Sequence, residues 1–199
     1  MIIINKRMKN YFKSLTNGKG FTLIELLVVI GILGVLAAAL LVTIDPLEQF
    51  ARGRDAGRLS TVDSIGHALE ANFTSTANGT YMTAAATFLT TLQNSGDLKI
   101  IPTDPAYTAN GATAPTAGTC PNGQNNFCYE TNAAATDADV YTRLESKAQC
   151  QKAHGGTACG TAATQNQSWV VWSSADGRTG VWYGAAAPTA GALLGAALY

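Results

Sequence analysis

A single carboxylate inside a long apolar run constrains this chain more than any other feature. From Phe21 to Ile44 there are 24 residues, and Glu25 is the only charged one. At about 1.5 Å per residue such a stretch forms a helix of roughly 36 Å, enough to span the hydrocarbon core of a bilayer. A Glu at the bilayer centre costs on the order of 2.5 to 3.5 kcal/mol, whereas each Leu, Ile or Val returns only a few tenths. Glu25 therefore either serves a function or sits near enough to the helix start to snorkel to the interface. Position alone leaves these two readings evenly matched.

The flanking residues separate them. Lys6, Arg7, Lys9, Lys13 and Lys19 precede the run, and no acidic residue precedes Glu25. The positive-inside bias then holds the N-terminus in the cytoplasm and places everything after Ile44 outside. An ordinary secretory signal has a shorter apolar stretch with a small-residue cleavage site at its far end. Here the small residue, Gly20, comes before the run.

The string Gly20, Phe21, Thr22, Leu23, Ile24, Glu25 closely resembles the processing site of type IV prepilins and type II secretion prepseudopilins. The resemblance is close over residues 19–73 and thin beyond. It implies that a membrane prepilin peptidase/methyltransferase cuts between Gly20 and Phe21 and N-methylates Phe21. It further implies that Glu25 is the assembly carboxylate. The expected partners are like pilin subunits in a helical filament, an inner-membrane assembly platform with its cytoplasmic ATPase, and membrane lipid. Two features depart from the family pattern. The mature position at which many members carry a kinking Pro is Val42, and the nearest Pro is Pro46, so a kink is expected about one turn later. The leader is also long, and Met8 offers a second start.

Removing residues 1–20 removes five basic residues and no acidic one, leaving eight basic against 13 acidic residues, a formal charge of −5. Apart from the leader, the basic residues cluster only at Arg52, Arg54 and Arg58, so a broad footprint for nucleic acid is missing and none is expected as a partner. Cys120, Cys128, Cys150 and Cys159 all fall on the exported side, where disulfides persist. Four cysteines allow three connectivities, and the short separations favour Cys120 with Cys128 and Cys150 with Cys159. A zinc site with His154 is the rival, disfavoured by its spacing and by an oxidising compartment.

After Pro46, Leu59, Val62, Ile65, Leu69 and Phe73 recur every three or four residues, the pattern of an amphipathic helix that Asn78 and Gly79 would stop. Joined to the apolar run it would extend from Phe21 to about Asn78, with Gly53, Gly57 and Gly66 as sites of weakness. A short helix is expected over Ala84–Asn94, then a turn at Pro102–Pro105 and a loop rich in Ala, Thr and Gly over 106–123. Strands are expected at 126–131, 140–145, 168–174 and 178–183, the last two joined by a turn at Asp176 and Gly177. The expected fold class is α+β, a long N-terminal membrane-spanning helix packed on a small antiparallel sheet. The expected organisation is a removed leader at 1–20, a transmembrane helix half at 21–44, an amphipathic half at 45–78, an exported globular domain at 79–183 and an Ala/Gly-rich tail at 184–199.

No catalytic constellation emerges. His67 and His154 lack a nucleophile or carboxylate pattern that points to hydrolysis, so the expectation is a protein that is not an enzyme and needs no cofactor. Asp137, Asp139 and Asp176 do not follow the ordered alternation of an EF-hand loop, and no metal site is expected. Trp169, Trp172 and Trp182 fall in strands, where packing is the expected role. The resemblance and the missing chemistry together favour a filament subunit of a type IV pilus or a type II secretion-like pseudopilus. The alternative is a minor pilin-like module at the filament tip that binds a surface or DNA. The expected location is the inner membrane, N-terminus inside, then a periplasmic or extracellular filament.

Overall fold

The computed structural model describes residues 20–75 and 79–191; the leader before Gly20, Asn78 and the apolar end of the tail, including Leu193, Leu194 and Leu198, lie outside the described residues. The chain divides into two compact units, Met1–Asp45 and Pro46–Tyr199. The described part of the first is essentially one helix, α1 (Leu23–Ile44), with no buried residue. Among the described residues it is the one helix long and apolar enough to cross a membrane.

The second unit begins with α2 (Pro46–Ser75), so the apolar and amphipathic parts do not join into one helix, and the interruption falls beside Pro46, where a kink is expected. Asp45 between them takes a left-handed conformation at φ 43°. Proline at position 46 explains the location: it suits the first position of a helix, lacks the N–H that would continue the preceding ladder, and disfavours helical backbone at the residue before it. Gly53, Gly57 and Gly66, by contrast, do not interrupt α2.

Next come α3 (Phe88–Ser95), β1 (Cys128–Thr131), β2 (Ala138–Arg143), α4 (Lys147–Ala153), α5 (Ala162–Gln165), β3 (Ser168–Ser173) and β4 (Arg178–Tyr183). The four strands form one antiparallel sheet in sequence order. Four strand boundaries differ from the sequence expectation: β2 starts two residues early, β3 ends one residue early, and the other two shifts have identifiable reasons. β1 starts two residues late because Asn125 and Asn126 adopt positive φ, closing a tight turn at Gln124–Phe127. β2 stops at Arg143, and the N–H of Glu145 goes to the Asp55 carboxylate at 2.9 Å and 3.1 Å instead of to a strand. The helices α4 and α5, in the second cysteine loop and just beyond it, were not anticipated.

Both faces of the sheet are covered. On one, Val62, Ile65, Ala68 and Leu69 of α2 and Phe88, Leu89 and Leu92 of α3 pack with Tyr129, Ala138, Val140, Val170 and Trp172. The period of 3.6 along α2 and of two along the strands puts these side chains on facing surfaces. On the other face Cys120, Cys128, Tyr141, Trp169 and Val171 form a second cluster, flanked by Trp182 and by Ala187 from the segment after β4. The Tyr141 ring meets Trp169 edge-on at 5.7 Å.

Candidate functional site

At the N-terminal segment, Gly20 and Phe21 precede the first turn of α1 and are exposed. Thr22 is the N-cap, and it forms a capping box with Glu25. The Glu25 carboxylate accepts the Thr22 backbone N–H at 2.8 Å and the Thr22 hydroxyl at 2.8 Å, while the Thr22 hydroxyl oxygen accepts the Glu25 N–H at 3.3 Å. In this conformation the lone acid of the apolar helix is partnered within its own first turn, where the N-terminal end of the helix dipole favours negative charge.

The cysteines form two local disulfides, Cys120–Cys128 and Cys150–Cys159. The first joins the loop of residues 106–127 to β1, and the second ties the buried Cys150 of α4 to the segment before α5. His154 lies between the second pair, with its ring stacked on Tyr183 at 3.8 Å between centroids. His67 is exposed beside Asp63 and Glu70. Among the described residues no group of three or more His, Cys, Asp or Glu side chains could hold a metal. Asp137 accepts from the Asn132 amide and the Thr136 hydroxyl, and Asp139 accepts the Gly191 N–H at 3.3 Å. Trp169 and Trp172 are fully buried, so neither offers a binding platform.

The sequence reading missed a buried ionic cluster built on Arg58 and the partly exposed Arg54; the half-exposed Arg52 pairs with Glu48 on its own helix at 3.1 Å. Arg58 donates from Nε to Asp104 at 2.6 Å, from one terminal nitrogen to Asp55 at 2.9 Å and Glu145 at 3.3 Å, and from the other to the Pro105 carbonyl at 2.8 Å. Its guanidinium lies 4.1 Å from the Tyr107 ring centroid. Arg54 grips Glu145 with two bonds of 2.7 Å and 2.8 Å. The Glu145 carboxylate also accepts the N–H groups of Thr108 and Ala109. Burial alone would raise the Glu145 carboxyl, but Arg54 and these N–H donors hold it below the usual carboxylate range.

The same face of α2 supplies the cap of α4. Glu48 accepts the N–H groups of Lys147 and Ala148 at 3.0 Å and 3.1 Å, and Asp55 accepts that of Ser146 at 2.7 Å. The Ser146 hydroxyl takes the Gln149 N–H at 3.2 Å, so every N–H of the first turn has an acceptor before the helical ladder begins at Cys150. Four carboxylates and the guanidinium groups of Arg54 and Arg58 thus tie α2 to segments 46 to 100 residues away in sequence. What these contacts do is tie α2 to the loop after α3 and to the start of α4.

Residues 15–41 match the family profile of the prokaryotic N-terminal methylation motif, the signature of type IV pilins and pseudopilins. Neither the curated proteins nor the solved structures yielded a match. The motif points to a structural subunit and implies processing by a prepilin peptidase and assembly with other pilins. Together with the apolar helix, it fits a protein anchored in the inner membrane.

Proposed function

We propose that this chain is a structural subunit of a filament assembled from the inner membrane, either a type IV pilus or a type II secretion-like pseudopilus. One observation carries the reading: the methylation motif coincides with a capped, wholly exposed apolar helix that carries a single carboxylate. The leader, residues 1–20, is removed between Gly20 and Phe21, and Phe21 is N-methylated. Residues 21–44 anchor the subunit with its N-terminus inside, and the domain from Pro46 onward projects outside. An assembly platform driven by a cytoplasmic ATPase lifts the processed subunit into the filament. The protein performs no catalysis of its own.

Glu25 has a defined part in this account. In a lone subunit Thr22 supplies its hydrogen bonds. In a packed bundle of apolar helices the carboxylate loses water, and a buried charge needs a counter-charge. Cleavage creates one, the new amino group of Phe21 on a neighbouring subunit, so pairing restricts assembly to processed chains. Replacement Glu25→Leu tests the proposal by comparison of membrane-fraction yield with sheared-filament yield. Membrane insertion should be preserved or improved, and incorporation into filaments should fall sharply. Normal filament yield would reduce Glu25 to an interface residue and remove the assembly role.

A further inference from the structure

The buried face of α2 changes chemistry along its length. Up to residue 58 its buried residues are Glu48, Ala51, Asp55 and Arg58; from there to the C-terminal end they are Val62, Ile65, Gly66, Ala68, Leu69 and Asn72. The first half is therefore anchored by one methyl group and three ionic side chains, the second mainly by apolar packing. The contacts join Glu48, Arg52, Arg54, Asp55 and Arg58 on α2 to Asp104 and the Tyr107 ring on the loop after α3 and to Glu145 before α4.

These two kinds of anchoring respond differently to separation. Apolar burial is non-directional and is lost in proportion to the area exposed. A buried ion cluster depends on short, oriented contacts, and much of its attraction is returned as hydration when its members reach water. Because Glu48 and Asp55 also cap α4, lifting the first half of α2 must uncap α4 in the same event.

We propose that residues 46–58 form a strap that undocks from the domain as one unit, uncapping α4, while the apolar half of α2 stays on the sheet. The strap directly follows the apolar helix in sequence, so it would let the chain next to the membrane segment rearrange without unfolding the domain. This inference does not depend on the filament reading.

Residue-resolved hydrogen exchange of the full chain in detergent micelles tests it. The amides of residues 51–58 and those of Glu145, Ser146, Lys147 and Ala148 should share one opening, with protection at least about tenfold below that of residues 65–72 and of β3. Glu48→Gln, which keeps shape and an acceptor oxygen, should lower both strap sets by the same factor, while residues 65–72 keep protection at least about tenfold above them. Arg54→Gln, a change at the partly exposed rim, should do the same through Glu145 and serves if the first variant folds poorly. Exchange of both halves of α2 only together with the sheet would overturn the proposal. So would separate responses of the two strap sets to the variants, or no response of either.

Discussion

The carboxylate of Glu48 accepts the backbone N–H of Lys147 at 3.0 Å across 99 residues of sequence. Burial alone would raise this carboxyl, but N–H groups of Lys147 and Ala148, Arg52 and Asn110 hold it below its ordinary value of 4.5. A carboxyl depressed by folding stabilises the native state above its unfolded pKa and loses that contribution as pH falls through its folded pKa. Glu48→Gln should destabilise the domain by about 0.5 to 2 kcal/mol near neutral pH, the size of a helix-cap loss. The difference between wild type and variant should shrink below pH 4.5. Chemical denaturation at several pH values measures it, and a difference independent of pH would show that Glu48 acts through shape alone.

Gly66 faces the Trp172 ring so closely that an added Cβ would lie 2.3 Å from it, whereas one at Gly57 meets nothing. Gly66→Ala should therefore cost about 1 to 3 kcal/mol through overpacking of the core. Gly57→Ala should instead stabilise the isolated subunit by up to about 1 kcal/mol through helix propensity. Thermal unfolding of both variants beside wild type checks the opposite signs.

Non-reducing peptide mapping should recover Cys120 linked to Cys128 and Cys150 linked to Cys159. Loops this short contribute about 2 to 3 kcal/mol each in the chain-entropy account. Removing either pair should lower stability by that order, measured by denaturation under non-reducing conditions. Crossed linkages or free thiols would contradict the geometry.

What could be read from sequence depended on how local its cause was. The apolar helix, the Trp- and Val-rich runs of β3 and β4 and the turn at Asp176 and Gly177 are set by residues within a few positions of one another, and Gly177 indeed takes φ 62°. The ionic cluster was illegible because Arg54 and Glu145 are 91 residues apart, and nothing in the spacing of Arg52, Arg54 and Arg58 names a partner. The helices α4 and α5 escaped for a related reason. At seven and four residues they are too short for a periodic face, and α4 draws its first-turn acceptors partly from α2. The break at Asp45 was half legible: Pro46 located it, but the proline alone did not distinguish a kink from an interruption.

Mass spectrometry of filaments sheared from cells that make this protein tests the central claim most directly. It reports incorporation, the mature N-terminus and its methylation in one measurement, with a bulky replacement of Gly20 as the unprocessed control. The account predicts a filament subunit that begins at N-methylated Phe21, and a Gly20 variant that stays in the membrane with its leader attached. A chain found only in the membrane fraction, or one assembled with residues 1–20 still in place, would contradict it.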